Sequence, residues 1–226
     1  MGITGNGKGV LAIWLDAAPG SDGILGEWLN REHHCERVDV PGFLSARRYQ
    51  AVQGSPRYFI CYGARDAAVL GSAPYLERLN NPTPWTQRAM PNFRNTVRSA
   101  CQVRHRLGRG EGGTLGLWRL APAPGHAAQL LDWLLTGGLQ AAQEQPGIVS
   151  AEVWQAEVAA STLPSKEKEI RGEDGQVDWV LAVTGNHPEE LAALHAGVLS
   201  PAALTAAGAA PAMEWGCYRQ IFALDE

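Results

Sequence analysis

The stretches Gly9-Val-Leu-Ala-Ile-Trp14 and Gly113-Thr-Leu-Gly-Leu-Trp118 are two versions of one pattern. The likeness continues along the chain, because Pro41-Gly-Phe-Leu-Ser-Ala-Arg-Arg-Tyr49 is matched 105 positions later by Pro146-Gly-Ile-Val-Ser-Ala-Glu-Val-Trp154. Residues 9–105 therefore recur in altered form as residues 113–223. A repeat of this length indicates two copies of one supersecondary unit, so the fold of one copy predicts the fold of the whole chain.

Each copy predicts the element order strand, helix, strand, strand, helix, strand. Apolar runs and period-two alternation are typical of strands, whereas apolar residues at helical spacing, such as Leu25, Trp28 and Leu29, predict a helix. In the first copy the predicted strands are 10–15, 43–52, 58–62 and 96–106, and the predicted helices are 23–38 and 66–79. In the second copy the predicted strands are 113–120, 148–155, 178–185 and 214–223, and the predicted helices are 125–143 and 188–196.

This order is the ferredoxin-like βαββαβ unit, whose helices cover one face of its sheet. The strands here are apolar on both faces, as Val10, Leu11, Ala12 and Ile13 illustrate. The second face must therefore also be buried, most simply against the sheet of the other copy. The sequence predicts an α+β fold in which tandem ferredoxin-like units pack sheet to sheet as an eight-stranded α/β barrel within one chain.

The predicted units differ in content. Residues 1–107 form a first, site-bearing unit, residues 108–112 a linker, and residues 113–226 a second unit that serves as a scaffold. Between its second and third strands the second unit carries residues 156–177, which are rich in Lys, Glu and Gly. That composition predicts an exposed loop or mobile flap whose removal leaves the fold intact.

Composition narrows the function classes. The chain has 226 residues and a net charge of −4, and it contains no block of Lys and Arg, so nucleic acid and anionic membranes are not expected partners. It shows no apolar stretch of bilayer length and no signal-peptide pattern. Four cysteines without a Cys-x-x-Cys spacing indicate reduced thiols and a cytoplasmic protein. A small-molecule ligand is the expected partner, and a homodimer stays open.

The two copies differ most where side chains are reactive. Glu32, His33 and His34 of the first copy align with Gly137, Gly138 and Leu139 of the second. The second copy shows that a helix at this place forms without histidines. Successive helical residues point about 100° apart, so His33 continues the apolar stripe toward the sheet while His34 joins the polar face. The near-neutral pKa of histidine suits acid/base catalysis. We predict His33 as the acid/base group; an ordinary hydrogen-bonded helix histidine is the alternative.

A second polar segment, residues 85–95, precedes the last strand of the first copy and aligns with an Ala-rich and Gly-rich stretch of the second. We predict that it contributes to the site; helix capping is the alternative. Tyr49, Tyr58 and Tyr62 are predicted to line the same pocket, and the alternative is that they are ordinary half-buried strand residues. The predicted catalytic residues are His33, Arg88 and Arg47, with the arginines orienting an anion. The predicted binding residues are Trp28, Glu32, His34, Tyr49, Tyr58, Tyr62, Trp85 and Asn92. No metal site is predicted, because adjacent helical histidines diverge and no third ligand is evident.

Four motifs resemble the dimeric α/β-barrel superfamily in its fused, internally duplicated form. They are Glu32-His33-His34-x-x-Arg37, Pro41-Gly42-Phe43 with Arg47-Arg48-Tyr49, Tyr58-Phe-Ile-x-Tyr62, and Pro82-Thr-Pro-Trp-Thr86 with Asn92-Phe-Arg-Asn95. The pattern is similar to EthD-type and antibiotic-biosynthesis-monooxygenase-type proteins of an uncharacterised branch. The resemblance implies a pocket between the sheet and helices of one unit, and a superfamily that includes cofactor-free monooxygenases, polyketide cyclases, lactone isomerases and haem enzymes.

These observations favour a small-molecule enzyme that performs acid/base or cofactor-free oxidative chemistry on a small organic substrate. A preference for aromatic or polyketide-like substrates is implied by the resemblance alone. No cofactor is expected. Two alternatives stay open: a haem-binding protein, which requires an axial histidine facing a cavity, and a non-catalytic binding or assembly protein, which predicts a filled interior at His33.

Overall fold

A computed structural model describes residues 2–226, which form eight strands and eight helices. The strands are β1 (Gly9–Ala17), β2 (Phe43–Gln53), β3 (Tyr58–Ala64), β4 (Phe93–Leu107), β5 (Thr114–Leu120), β6 (Ile148–Ala156), β7 (Trp179–Gly185) and β8 (Glu214–Asp225). Two long helices each contain a π-helical turn: α1 (Asp22–Trp28, π turn Leu29–His33, His34–Val38) and α4 (Ala127–Trp133, π turn Leu134–Gly138, Leu139–Gln143). The other helices are α2 (Ala73–Asn80), α3 (Pro84–Ala89), α5 (Val158–Ser161), α6 (Lys166–Arg171), α7 (Pro188–Ala196) and α8 (Pro201–Ala206).

The strands close into one barrel in the order β1-β3-β2-β8-β5-β7-β6-β4. Each half therefore has its four strands in the ferredoxin-like order, with the first and third strands at the centre. The two halves join where β2 pairs with β8 and where β4 pairs with β6, both antiparallel. This arrangement confirms the predicted α+β fold of two ferredoxin-like units packed as an eight-stranded barrel.

Side chains alternate between the barrel interior and the helix-facing side of the sheet, as the period of two along a strand requires. The interior is filled with aromatic rings that are at most 1% exposed, namely Trp14, Tyr49, Phe59, Trp154 and Tyr218. Two further cores lie between the sheet and the helices, one for each unit. Both faces of the strands are thus buried, and the barrel interior is a packed core.

The first helix departs from the straight α-helix that the sequence predicts. Its π turn at Leu29–His33 adds one residue to a turn, so the residues that follow are rotated relative to a regular helix. As a result both His33 and His34 are buried, and Arg37 is buried with them. The expectation that His34 joins the solvent-facing side was wrong, because it assumed 100° per residue throughout.

The segment 156–177 is also different from its prediction. It folds into α5 and α6, and it lies against the first unit rather than extending into solvent. The backbone N–H of Ala100 on β4 donates to Ser161 Oγ at 3.0 Å, and the N–H of Lys166 donates to Asn80 Oδ1 at 3.2 Å. Glu167 is only 3% exposed. The prediction of an exposed loop was therefore wrong, since composition does not reveal a buried carboxylate that has found a partner.

The remaining differences are local. The predicted helix 66–79 is a 3-10 turn, Ala67–Gly71, followed by α2. Two short helices replace predicted irregular segments, and Thr83 and Ser200 cap them by accepting from backbone N–H groups three residues on. No helix within residues 2–226 is both long enough and apolar enough to cross a membrane.

Candidate functional site

His33 is the last residue of the π turn in α1, and its side chain is 5% exposed. Its ring packs on the indole of Trp28, with the ring centroids 4.1 Å apart. Glu32 holds this indole in place, because Trp28 Nε1 donates to Glu32 Oε1 at 3.1 Å. The same carboxylate oxygen accepts from Thr83 Oγ1 at 2.6 Å. Three of the predicted site residues, Trp28, Glu32 and His33, are therefore in contact.

His34 is fully buried beside His33 and contacts the sheet. Its Nδ1 lies 2.9 Å from the hydroxyl oxygen of Tyr62, and its ring stacks on Phe222 with centroids 4.6 Å apart. Phe222 belongs to β8, so a residue of the second unit forms part of the wall of the first unit's site. The predicted binding residues His34 and Tyr62 meet here.

Arg37 completes the buried cluster and joins it to the second unit. Its Nη2 donates to both carboxylate oxygens of Glu167 on α6, and both side chains are nearly inaccessible to solvent. Its guanidinium carbon lies 5.8 Å from the centroid of the Tyr75 ring. Arg171, also on α6, pairs with Asp174 at 2.8 Å. Helix α6 thus closes the helical side of the first unit through a buried ion pair.

Several buried polar atoms of this cluster have no hydrogen-bond partner. Within residues 2–226 they include His33 Nδ1, His34 Nε2, Arg37 Nη1 and Arg48 Nε. Native proteins satisfy nearly all their buried polar groups, so a concentration of unsatisfied atoms in one place requires an explanation such as water or a ligand.

Electrostatics keep the two histidines neutral. Burial, reinforced by the Arg37 cation, holds the pKa of His33 well below its ordinary value. Burial and the nearby Arg48 and Arg37 cations lower the pKa of His34 to about 3. Burial alone opposes the charge of Arg37, but the Glu167 carboxylate raises the pKa of Arg37 overall. Both imidazoles are therefore neutral, so each has a ring nitrogen that can accept a proton, and arginine cations lie close to them.

A cleft of about 130 Å³ lies beside Arg48, whose guanidinium carbon is 6.0 Å from the centroid of the Phe222 ring. Its position is between the first half of α1 and the sheet. The lining residues are Leu15, Asp22, Leu25, Gly26, Leu29, Arg48, Gln50, Tyr58 and Ile221. Because His33 is almost fully enclosed, a ligand in this cleft reaches the imidazole only if a neighbouring element moves.

Arg47 and Tyr49 do not share a pocket with Tyr58 and Tyr62, contrary to the sequence-based grouping. The register between β2 and β3 pairs Gln50 with Tyr58 and Arg47 with Cys61, so Arg47 and Tyr49 face the barrel interior. There Arg47 pairs with Glu111 at 2.8 Å, and the Tyr49 hydroxyl donates to the same carboxylate. Both residues stabilise one end of the barrel, away from His33.

The polar segment before β4 forms surface structure. Arg88 is exposed on α3, which places it outside the buried cluster. Asn92 Nδ2 donates to the backbone oxygens of Arg88 and Ala89, at 3.2 and 3.0 Å, and so caps the end of this helix. Trp85 is half-buried and packs on the edge of the core. The capping interpretation accounts for this segment, and the expectation that Arg88 orients an anion beside His33 was wrong.

Sequence reasoning missed four arginines and a glutamate that the fold brings to this side of the sheet. They are Arg37, Arg48, Arg98, Arg171 and Glu167, of which Arg98 donates to the Tyr75 hydroxyl at 3.1 Å. A signal for Arg48 was present, because the repeat aligns it with Val153, which is fully buried in the second unit. A buried charge in one copy opposite an apolar residue in the other marks a position where folding does not require the charge.

The second unit shows how the same frame looks without the histidines. Its π turn ends at Gly138, which lies 105 positions after His33. A Cβ atom at Gly138 would lie 2.6 Å from the ring of Trp133, the counterpart of Trp28. The Trp133 indole therefore leaves no room for a side chain at position 138. The adjacent histidines at the π turn are therefore particular to the first unit, while the π-helical frame is common to both.

Neither a metal nor haem finds a matching set of residues here. Across residues 2–226, no group of three or more His, Cys, Asp or Glu side chains converges as a metal site would require. An axial haem ligand needs a histidine that faces a cavity, but His33 is stacked on Trp28 and His34 on Phe222. The adjacent cleft of about 130 Å³ is also smaller than the roughly 300–1,000 Å³ of typical cofactor sites.

No protein-family model matches this sequence, and no curated protein matches it. Solved structures do match. An anthrone oxidase-like protein superposes with a TM-score of 0.64 at 15% identity, covering 99% of this chain and 95% of the other. A candidate monooxygenase from Fusobacterium nucleatum gives 0.60 at 6% identity, covering 98% and 96%. A candidate chlorite dismutase gives 0.56 at 11% identity, covering 95% of each chain.

These identities are low, so the likeness concerns the fold. It extends over nearly the full length of both partners in each comparison. The barrel order and the paired βαββαβ units agree with it. The chain therefore has a fold of two ferredoxin-like units that close into one eight-stranded barrel within a single chain.

Proposed function

We propose that this protein is an enzyme that transfers protons on a small organic substrate, and that His33 of the first unit is its acid/base group. The observation that carries the proposal is the unpartnered, buried Nδ1 atom of His33. The second unit has Gly138 at the same place, so the fold itself does not need the imidazole. A ring nitrogen without a hydrogen-bond partner is free to accept a proton from a bound substrate, as a general base does.

The surrounding charges suit the same chemistry. A neutral imidazole accepts a proton from an acidic C–H or O–H group, and the substrate becomes an enolate or phenolate. Arg37, whose Nη1 has no hydrogen-bond partner, would donate to that anion in a site that excludes water. A carbanion formed in this way can pass electrons to dioxygen without a cofactor. The names of the structural neighbours, an anthrone oxidase-like protein and a candidate monooxygenase, support oxidative chemistry as the class.

The test is hydrogen–deuterium exchange into anthrone and a panel of ring ketones, followed by NMR, with oxygen uptake recorded in parallel. The variant His33→Gln is expected to slow exchange by about 100-fold or more, because a positioned acid/base group contributes 10²–10⁴ in rate. The matched control is His195→Gln, which changes a half-buried histidine of the second unit. Because the pKa of His33 lies well below 6.5, the wild-type rate should not change between about pH 7 and pH 8.

One observation favours a second candidate function, binding or assembly without catalysis: the His33 ring is enclosed and stacked on Trp28. Exchange that His33→Gln leaves unchanged, or a panel without any exchange, would support this second function and contradict the first. A Soret band in the purified protein would instead show that it binds haem, which would require His33 or His34 to become accessible.

A further inference from the structure

Arg48 is a buried cation without an anionic partner. It is 7% exposed and lies on the helix-facing side of β2. Its Nη2 donates to the amide oxygen of Asn30 at 2.9 Å, its Nη1 makes a long contact of 3.4 Å with the backbone oxygen of Gly26, and its Nε has no partner. No Asp or Glu oxygen among residues 2–226 lies within 4.0 Å of it.

The neighbouring charges are already neutralised by others. Asp22, the acidic residue of the cleft, pairs with Arg57 at 3.0 Å and accepts from the Tyr58 hydroxyl at 2.6 Å. Glu167 is fully engaged by Arg37. Burial lowers the pKa of Arg48, and no carboxylate offsets that effect. An unpaired charge is unfavourable in a buried position, so this position favours an anion that can reach the guanidinium.

The cleft in front of Arg48 fits a single ring. Its apolar walls come from both sides, with Leu25 and Leu29 on the helix and Leu15 and Ile221 on the sheet. Its volume of about 130 Å³ approaches the ~150 Å³ of a cavity that accepts benzene. Ile221 is 42% exposed, so the cleft opens to solvent.

The second unit supplies an internal comparison. Val153 takes the place of Arg48 there and pairs with Leu181, as Arg48 pairs with Ile60. It is fully buried in an apolar core. The second unit folds with valine at this position, so the fold does not require an arginine there.

We propose that the cleft binds a small organic carboxylate built on a single ring, with Arg48 as the charge partner of the carboxylate and the leucines holding the ring. The planar guanidinium offers a fork of N–H donors that matches a carboxylate. This assignment concerns binding alone and holds whether or not His33 performs catalysis.

The probe is benzoate, compared with the uncharged benzamide of nearly the same shape, and binding is measured by calorimetry and by thermal unfolding of the full chain. Benzoate is expected to raise the melting temperature, with benzamide at least about tenfold weaker, because a hydrogen bond to a charged group contributes about 1.5–3 kcal/mol. Arg48→Met should abolish the benzoate response while keeping or raising the stability of the ligand-free protein, since Val153 shows that the frame accepts an apolar residue.

Controls separate this proposal from the proposed function and from misfolding. Arg31→Met removes an exposed arginine of α1 that pairs with Glu27 and does not line the cleft, and it should leave benzoate binding unchanged. His33→Gln should also bind benzoate normally, so loss of catalysis does not imply loss of this site. Arg48→Lys keeps the charge without the fork and should bind more weakly than wild type. Equal responses to benzoate and benzamide, no response to either, or an unchanged response in Arg48→Met would overturn the assignment.

Discussion

Replacing Glu167 with alanine is expected to destabilise the protein by about 3–5 kcal/mol, the usual cost of leaving one member of a buried ion pair without its partner. Arg37 would keep a charge at a position that is 1% exposed, and no other carboxylate bonds to it among residues 2–226. The measurement is the free energy of unfolding in urea. Glu169→Ala is the matched control, because Glu169 lies on the same helix and is exposed. Its effect should be within about 0.5 kcal/mol.

The double variant Arg37→Met, Glu167→Met tests the cause of that loss. Replacing both partners with apolar residues removes the desolvation cost as well as the attraction, so much of the stability should return. A Glu167→Ala variant that unfolds like Glu169→Ala would contradict the docking of α6 on the first unit. It would restore the earlier expectation that segment 156–177 is dispensable.

Lowering the pH from 7 to 5 is expected to destabilise the protein by about 2 kcal/mol through His34, with a further loss in the same direction through His33. Both have a lowered pKa when folded, whereas in the unfolded chain they titrate near 6.5. The unfolded state therefore binds more protons below pH 6.5, and each histidine contributes a loss of about 1.4 kcal/mol per pH unit. Their contribution is complete above pH 6.5 and falls progressively below it, toward the pKa of about 3 for His34.

The measurement is the unfolding free energy across this range for wild type and for His34→Gln, which should show a shallower slope because one titrating group is gone. Buried Glu152 has a raised pKa and acts in the opposite direction, so the comparison between variants matters more than the total. An identical slope in both proteins would mean that His34 is protonated within the folded protein. That result would contradict the buried position of His34 between Tyr62 and Phe222.

The sequence by itself determined the frame. The repeat defined two units, and their strand and helix patterns defined the unit type. Apolar residues on both faces of the strands then required two sheets to meet, because only that arrangement buries the second face. The comparison of His33 with Gly138 also predicts a reactive region in the first unit, because the second copy keeps the same π turn without the histidine.

Tertiary structure decided which side chains meet. The π turn at Leu29–His33 rotates His34 and Arg37 toward the sheet. The spacing of apolar residues in the sequence does not reveal such a local change in helical hydrogen bonding. Strand register sent Arg47 into the barrel and Arg48 toward the helices, because a shift of one residue exchanges the two faces. Glu167 reaches Arg37 across 130 positions of the chain, and only the closed barrel brings them together. Local patterns carry the elements, whereas pairing between distant charges depends on geometry that no local pattern contains.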